Sequence, residues 1–514
     1  MLNVYLRSRA RASTLALALS VATVPASVLA QAPTVRDTVA FLDSLAAVTL
    51  DSFGVPGMSL GVIRGGEVVL SRGYGFRASG RPGRVDGATQ FAIASNTKAF
   101  VGTSLALLAA DGKLALDDAV TGHLPYLRWP REEVTALANV ADLVTHRTGL
   151  GTFKGDHLWF KRELSARQVL EQVPTLELEY PFRAGYGYSN VMFVAAGEVI
   201  ASVTGAPWSA FAKTRLLGPL GMRRTVTDVA DLAADGNVAS GHVTRQDNAA
   251  IAAVPWRASG AAGGIWSTGD DMLRWIEANL GRGVFRGDTV WPERVQREVW
   301  RPRNTFGGPD AFTSYGMGWF MSKRGAHTTF THGGGYDGMY SRVLLVPGLD
   351  LGVVVLTNSM TGLPSQLARA VAALYGGTYE ETWLTSALAR ERRGDAAWFA
   401  RQAALVARLD SLRGVPHALE LADGAYADAS YGTFAVVTLP GGERELRFPH
   451  APALTATLES VGGDHYRLRW RERQAWWDAG AAYLERGADG QVALRLDVPN
   501  DDIFFETIRA LQSR

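Results

Sequence analysis

The sequence predicts an α+β fold followed by a small all-β domain, and the distribution of β-rich and helical segments carries this prediction. Two β-rich runs, Met58 to Ile63 and Val68 to Gly75, come early in the chain, and others return between Trp319 and Asn358. The stretch between them, roughly residues 115 to 280, has the pattern of helices and loops. We therefore expect one antiparallel sheet built from both ends of this region, with helices on its faces and a helical subdomain.

Local signals place the individual elements of this region. Apolar residues at helical spacing predict a first helix from Val35 to Phe53, and Arg64-Gly65-Gly66 predicts a hairpin turn between the two early strands. A strongly apolar helix is predicted from about Ser95 to Ala110, and Asp111-Gly112 is expected to end it. Another is predicted from Val191 to Val203.

The C-terminal part of the chain has a different pattern. A charged, alanine-rich stretch from Leu384 to Leu412 predicts a helix, and short alternating runs from Gly424 onward predict a small antiparallel sheet or barrel. We place an α+β domain at residues 33–378, a helical linker at 379–415 and a small β-rich, lipocalin-like domain at 416–514. Because the region from about Gly424 has its own turn spacing and carries no catalytic cluster, we expect it to fold separately and to modulate access or specificity.

Composition excludes several classes of protein. The 514 residues are 47% hydrophobic and 20% charged, which is typical of a globular chain and of neither a disordered nor a fibrous one. Cysteine is absent, which rules out disulfides, thiolate metal sites and cysteine nucleophiles. The nine histidines form no H-E-x-x-H motif, so a metallohydrolase has little support, and we expect no metal and no organic cofactor.

The first residues have the pattern of a secretory signal. Three arginines and no acidic residue precede an apolar stretch from Ala12 to Val24, and the small residues Ala30 and Ala32 follow. We expect a signal peptide over residues 1–30 and a periplasmic or secreted protein; Pro25 favours cleavage over a membrane-anchoring first helix. Loss of the leader leaves 49 cationic and 50 acidic residues. This balance predicts no nucleic-acid partner, and no later segment is apolar enough to predict a membrane span.

The first candidate catalytic cluster is Ser95-Asn96-Thr97-Lys98, at the start of the predicted apolar helix. The chain has six lysines against 46 arginines, and Lys98 is the only lysine with a serine three positions before it. Residues three apart share a helix face, and a buried lysine loses its proton readily, so Lys98 can accept the proton of the Ser95 hydroxyl. The alternative is a serine helix cap beside a solvated lysine.

The second cluster is Tyr188-Ser189-Asn190, immediately before another apolar helical run. A phenol near an ammonium group can ionise below its usual pKa of ~10 and pass a proton to a leaving group, and an amide side chain can hold a substrate carbonyl. The alternative is a helix cap formed by Ser189 or Asn190.

The third cluster is Thr331-His332-Gly333-Gly334-Gly335, between two β-rich runs. Glycines in a strand allow a second backbone to come close, and the N–H groups of such an edge can bind substrate and a developing oxyanion. A glycine-rich hairpin turn with an incidental histidine is the alternative.

Together, the three clusters resemble the serine β-lactamase and penicillin-binding protein superfamily, in its class C β-lactamase-like serine hydrolase branch. This branch also contains DD-peptidases, D-aminopeptidases and esterases. The resemblance covers about residues 36 to 375, and it implies a β-lactamase/transpeptidase-like α+β fold. The C-terminal β-rich domain resembles the small barrel appended to some non-lactamase members. Further similar stretches are Val55–Ser59, Leu143–Leu150, Pro219–Met222 and Ala262–Thr268.

The resemblance also implies roles for the residues of the first two clusters. Ser95 takes the place of the acylated nucleophile. Lys98 and Tyr188 are expected to share its proton and to protonate the leaving group, and Asn190 is expected to hold the substrate amide.

In the third cluster the resemblance implies a substrate-binding edge formed by His332, Gly334 and Gly335. The backbone N–H groups of Ser95 and Gly335 are expected to form the oxyanion hole. His332 stands where many members carry a lysine that helps to hold a substrate carboxylate. Because a histidine is mostly neutral at pH 7, this departure predicts at most weak β-lactam hydrolysis.

A competing nucleophile can be rejected. Gly57-Met58-Ser59-Leu60-Gly61 fits the G-x-S-x-G pattern, but that motif needs a sharp turn and then a helix, whereas a second strand follows here.

The chain is therefore interpreted as a secreted serine hydrolase that forms an acyl-enzyme on Ser95. Its expected substrates are small peptides, including those with D-residues, amides and esters. A non-catalytic sensor that binds cell-wall peptides or β-lactams through the same groove is the alternative, and turnover of the acyl-serine distinguishes the two.

Overall fold

The structure is a computed structural model that describes residues 35–308, 311–324 and 326–513. The predicted signal peptide, with Ala30 and Ala32, lies outside these residues. Within the described part of the chain, no single helix is long and apolar enough to cross a membrane. One pair, Asn190–Thr204 and Trp208–Leu217, meets the length and composition criteria only when taken together, and it is bent by 74°.

Thirteen α-helices and 22 strands are labelled here in chain order. The helices are α1 (Val35–Phe53), α2 (Thr97–Ala110), α3 (Val120–His123), α4 (Glu132–Leu137), α5 (Val140–Leu143), α6 (Ala166–Leu170), α7 (Asn190–Thr204), α8 (Trp208–Ala212), α9 (Gly260–Gly263), α10 (Gly269–Leu280), α11 (Glu293–Val299), α12 (Leu363–Tyr375) and α13 (Trp383–Ser411). The strands before the C-terminal barrel are β1 (Gly57–Arg64), β2 (Glu67–Gly75), β3 (Phe91–Ala92), β4 (Gly241–Val243), β5 (Ala249–Ile251), β6 (Trp266–Ser267), β7 (Val284–Phe285), β8 (Asp288–Thr289), β9 (Asn304–Gly308), β10 (Ala311–Tyr315), β11 (Phe320–Arg324), β12 (His327–Tyr336), β13 (Met339–Val346) and β14 (Leu351–Thr357). The barrel strands are β15 (Gly424–Asp428), β16 (Gly432–Thr438), β17 (Arg444–Arg447), β18 (Ala456–Gly462), β19 (His465–Trp470), β20 (Ala481–Arg486), β21 (Val492–Asp497) and β22 (Arg509–Gln512).

An eight-stranded antiparallel sheet joins the two ends of the α+β region, as the sequence predicts. Its strand order is β2-β1-β14-β13-β12-β11-β10-β9, and β1 meets β14 in a register that places Leu60 opposite Val355. Every residue of β14 is buried, so both faces of the sheet are covered at its centre. Helix α10 packs closely there, because a Cβ added at Gly352 would lie 2.1 Å from the Ile276 side chain.

Helices α2 and α7 form the centre of the helical region. Every residue from Thr97 to Leu108 is buried, which explains why α2 is apolar around its whole circumference. Helix α7 begins with a side-chain cap, in which Ser189 Oγ accepts a hydrogen bond from the Met192 N–H at 3.3 Å. It ends at Gly205, whose φ of 72° is a left-handed conformation that favours glycine.

The C-terminal strands β15 to β22 close into an eight-stranded antiparallel barrel, which confirms the predicted all-β domain. Apolar side chains at alternating positions of a strand are buried, as Phe434 and Val436 on β16 show. Helix α13 packs against the barrel through Leu405 and Leu409, which contact Ala481. The domain boundaries at residues 378 and 415 stay predictions.

The barrel packs tightly against the α+β region. The Arg162 guanidinium donates to the Tyr431 carbonyl at 2.7 Å, and the Glu163 N–H donates to the His450 carbonyl at 2.6 Å. One continuous apolar core runs through both parts, and the separate folding of the barrel stays a prediction. The alternating strand pattern could not reveal this contact, since it reports only the burial of alternate residues.

Candidate active site

Ser95 lies on a short 3₁₀ turn, Ala94–Asn96, directly before α2. Its side chain borders a cavity of about 530 Å³. The preceding residue, Ala94, has a left-handed φ of 46°, an uncommon conformation for a residue with a Cβ. Such strain persists only where the surrounding structure holds it, and it often accompanies a functional residue.

Lys98 is fully buried beneath Ser95, which excludes the solvated lysine considered from the sequence. Its Nζ donates to Ser95 Oγ at 3.0 Å, to Asn190 Oδ1 at 2.7 Å and to the Ala262 carbonyl at 2.7 Å. Burial lowers the pKa of Lys98 to about 7, against an opposing effect of Asp156. The amine is therefore able to lose its proton near neutral pH and to accept one from Ser95.

Tyr188 lines the same cavity as Ser95, and the serine hydroxyl opposes the effect of burial on the pKa of the phenol. Lys98 Nζ lies 4.9 Å from the centre of the Tyr188 ring. The sequence predicts that the ammonium lowers the pKa of this phenol, and this prediction is wrong, because burial raises the pKa well above its usual range. Tyr188 therefore remains a protonated hydrogen-bond donor, and Lys98 is the better base.

Asn190 has other partners than those we expected. Its Oδ1 accepts from Lys98 at 2.7 Å, and its Nδ2 donates to Asp156 Oδ2 at 2.7 Å. Both ends of the amide are thus engaged inside the protein, and 7% of the residue is exposed. The side chain holds Lys98 in place and also lines the cavity beside Ser95, and its contact with a substrate amide stays a prediction.

Asp156 is a member of this network that sequence reasoning missed. It begins the 3₁₀ turn Asp156–Leu158, and its Oδ1 accepts from Trp159 Nε1 at 3.0 Å. Burial raises the pKa of its carboxyl to about 8, although the hydrogen bonds from Asn190 and Trp159 oppose this. A lone aspartate in a loop follows no motif, so only the folded structure reveals it.

The edge of β12 faces Ser95. Strand β11 pairs with β12 only as far as Thr331, whereas β13 pairs with it as far as Tyr336, so within the described sheet the following residues have one edge without a strand partner. A Cβ at Gly334 would lie 2.1 Å from the Ile93 carbonyl oxygen. Glycine is therefore required for β12 to approach the turn that carries Ser95.

His332 is buried and neutral. Its Nδ1 lies 2.6 Å from the Gly333 carbonyl and must donate to it, which leaves Nε2 to accept from the Tyr315 hydroxyl at 2.9 Å. Burial, aided by Lys98, lowers the pKa of His332 to about 3. The predicted neutrality agrees with this environment, and the ring does not titrate near neutral pH.

Arg342 is a second residue that sequence reasoning missed. It lies on β13 opposite Gly333, and its Nη1 is 2.9 Å from the position that a Gly333 Cβ would occupy. A positive charge therefore stands beside the strand edge even though His332 is neutral. The sequence alone does not give the register of β12 against β13, and only that register places Arg342 opposite Gly333.

The rejected serine, Ser59, lies in the interior of strand β1 and is fully buried. Its hydroxyl faces α10, where a Cβ at Gly269 would lie 2.3 Å from Ser59 Oγ. The strand continues past it, so the G-x-S-x-G pattern does not form the turn that a nucleophile of that class requires.

None of the described residues belongs to a group of three or more histidines, aspartates or glutamates placed to hold a metal ion. The polar groups around Ser95 are hydrogen-bonded to one another instead.

The fold and the grouping of Ser95, Lys98 and Tyr188 are those of a β-lactamase-like protein, and comparison with known proteins agrees. The model of the Beta-lactamase family matches residues 42–377. The chain belongs to this family, as the sequence motifs indicated. Membership supports a serine hydrolase in general.

Two curated relatives illustrate the similarity. The chain is 25% identical over 322 residues to "Protein flp" of Staphylococcus aureus (strain MW2), an alignment that covers 62% of each chain. It is 29% identical over 336 residues to the "Unguisins hydrolase ungD'" of Aspergillus campestris, covering 60% of each. The matches thus span about three fifths of these relatives' own length.

Two solved structures share the fold at 21% identity. The octameric penicillin-binding protein homologue from Pyrococcus abyssi has a TM-score of 0.58, covering 92% of this chain and all of that one. The class C β-lactamase from Rhodobacter sphaeroides has a TM-score of 0.55 and covers 66% of this chain and 98% of its own.

Proposed function

We propose that the protein is a periplasmic or secreted serine hydrolase that cleaves amide or ester bonds through an acyl-enzyme on Ser95. The observation that carries the proposal is the 3.0 Å hydrogen bond between Lys98 Nζ and Ser95 Oγ, made by a buried lysine. A nucleophilic hydroxyl needs a base within hydrogen-bond reach, and burial gives Lys98 a suitable pKa.

In the acylation step, neutral Lys98 accepts the Ser95 proton while Oγ attacks the substrate carbonyl carbon. The carbonyl oxygen becomes an oxyanion, for which the backbone N–H groups of Ser95 and Gly335 are the proposed donors. Collapse of the intermediate expels the amine or alcohol, which takes a proton from Lys98 or through the Tyr188 hydroxyl. Water then attacks the acyl-serine, releasing the acid and restoring Ser95.

The proposed substrates are small peptides, amides and esters, including peptides with D-residues. The cavity of about 530 Å³ is of a size that suits small ligands. β-Lactam hydrolysis is proposed to be weak, because His332 is neutral, although Arg342 supplies a charge beside the same edge.

A turnover screen tests the proposal. Purified protein is assayed against p-nitrophenyl esters, D- and L-amino-acid amides and a chromogenic cephalosporin, with Ser95→Ala as the matched control. The proposal expects steady turnover of at least one ester or amide that Ser95→Ala lacks. A stable stoichiometric adduct on Ser95 without turnover would instead identify a sensor.

A further inference from the structure

The C-terminal barrel forms one wall of the cavity around Ser95. Trp476 lies over the strand edge, where a Cβ at Gly335 would be 3.4 Å from its ring, and Asp502 and Ile503 follow from the loop after β21. These barrel residues lie outside the three motifs but line the cavity that holds Ser95. The barrel is therefore placed to contact a bound substrate.

The loop that carries Asp502 is held in a fixed shape. Asn500 Oδ1 accepts from the N–H of Asp502 at 3.0 Å and from that of Ile503 at 2.6 Å. Asn500 Nδ2 donates to the carbonyls of Val498 and Ile503, and the Ile503 side chain is buried. Asp502 is thus presented to the cavity by a preorganised turn.

The Asp502 carboxylate has no cationic partner among the described residues. Its neighbour Asp501 is paired with Arg401 at 2.9 Å, and Arg342, which lines the same cavity, is not among the groups that shift the pKa of Asp502. Burial and the charge of Asp501 raise the pKa of Asp502 to about 6, so the group is mostly ionised at neutral pH. A partly buried charge without a counter-ion is unfavourable, and a cationic ligand would remove that penalty.

Aromatic rings line the same cavity, and Tyr340 lies near enough to Asp502 for that charge to raise the Tyr340 pKa. Trp159 and Trp256 meet edge to face with ring centroids 5.0 Å apart, and Tyr340 and Trp476 lie with centroids 6.4 Å apart. Ring faces attract cations and exclude water, which strengthens a charge pair. A carboxylate among aromatic rings is suited to an ammonium group.

We propose that Asp502 and the aromatic wall bind a protonated amine of the substrate, so that the barrel selects amides or esters that carry an ammonium group. This inference rests on the proposed hydrolase function. The amine could be an α-amino group or the end of a basic side chain, because both present the same charge. The test is designed to separate these two sources.

Matched 4-nitroanilides test the inference at pH 7.5. One series has a free α-amine, one is N-acetylated, and one is N-acetylated with a side-chain amine; each is made with D- and L-residues. The wild type should show a kcat/KM at least tenfold higher for one amine series than for the neutral series. Asp502→Asn should reduce this ratio at least fivefold, and Asp501→Asn, which removes the neighbouring exposed charge, should not.

A second measurement does not require turnover. A neutral fluorophosphonate labels Ser95, and amine ligands should protect Ser95 from labelling better than their acetylated analogues, in wild type and Asp501→Asn but not in Asp502→Asn. If Ser95 is labelled and the amine ligands protect it no better than their acetylated analogues, the amine subsite is overturned and the proposed hydrolase function is not. Absence of both labelling and hydrolysis would overturn the proposed function and the inference with it. Equal thermal melting of the variants excludes misfolding as the cause.

Discussion

Lys98 and Asn190 are joined by a 2.7 Å hydrogen bond, and the other end of the amide donates to Asp156 at the same distance. The carboxyl oxygen that accepts from Nδ2 fixes the orientation of the amide, so that Oδ1 faces Lys98. Through this bridge a residue far from Ser95 in sequence affects both the position and the pKa of the lysine.

The first prediction concerns this bridge. The ionised form of Asp156 raises the pKa of Lys98, against the larger lowering by burial, but the pKa of Asp156 is itself about 8, so only part of this effect is present near neutral pH. Asp156→Asn should therefore lower the pKa of Lys98 further and reduce the rate, because one amide oxygen must replace two acceptors. If neutral Lys98 is the base, the acidic limb of the pH profile of kcat/KM for a neutral ester moves to lower pH. A reduced rate with an unmoved limb would show a purely structural role.

The second prediction concerns the glycines of β12. Gly334→Ala would place a Cβ 2.1 Å from the rigid Ile93 carbonyl, so the free energy of unfolding should fall by about 1 to 3 kcal/mol and kcat/KM by at least tenfold. Gly333→Ala is the matched control, because its Cβ would meet the movable end of Arg342 at 2.9 Å. Urea denaturation and ester hydrolysis measure both effects. Equal damage by the two substitutions would contradict the proposed close approach.

The third prediction concerns the charge beside the strand edge. For paired substrates with and without a carboxylate, Arg342→Gln should lower the kcat/KM of the carboxylate-bearing substrate relative to the neutral one by up to about fivefold, the upper end of the effect of a partly exposed ion pair. The exposed Arg301→Gln is the control.

The same pair of substrates tests the protonation state of His332. Since the pKa of His332 is about 3, its titration should not alter the ratio of the two kcat/KM values between pH 5 and 8. A midpoint near pH 6.5 in the wild-type ratio that His332→Gln abolishes would show that the ring is ionised there.

The fourth prediction concerns the barrel. Truncation near residue 380 removes the partner of Arg162 and the ring of Trp477, whose centroid lies 5.7 Å from that of Phe160. We expect the shortened chain to aggregate or to melt at a clearly lower temperature than the full chain. Circular dichroism and light scattering measure this. A truncated protein with unchanged melting and normal acylation would support the separate domain that the sequence suggested.

Much of the fold could be predicted from the sequence because its signals are local. The apolar helix after Ser95 and the alternating runs after Gly424 each depend on the burial of nearby residues, and the structure contains both elements. The packing of the barrel on the α+β region could not be predicted, since it depends on contacts such as that between Arg162 and Tyr431. These residues are 269 positions apart.

In the candidate site, the residues that belong to motifs could be predicted from the sequence, and the others could not. The motifs identified Ser95 and Lys98, whose spacing on one helical turn brings their side chains together. The motifs did not identify Asp156 or Asp502, because neither belongs to a known motif and each reaches the cavity only through the tertiary fold. The raised pKa of Tyr188 was also missed, because burial outweighs the nearby ammonium.

If Ser95 is the acylated nucleophile, peptide mapping after reaction with a fluorophosphonate should show it. We expect the added mass on the peptide containing Ser95, loss of both labelling and turnover in Ser95→Ala, and no modification of the buried Ser59. Ser59→Ala is the matched control and should still be labelled on Ser95. Labelling on Ser59, or full activity of Ser95→Ala, would contradict the account.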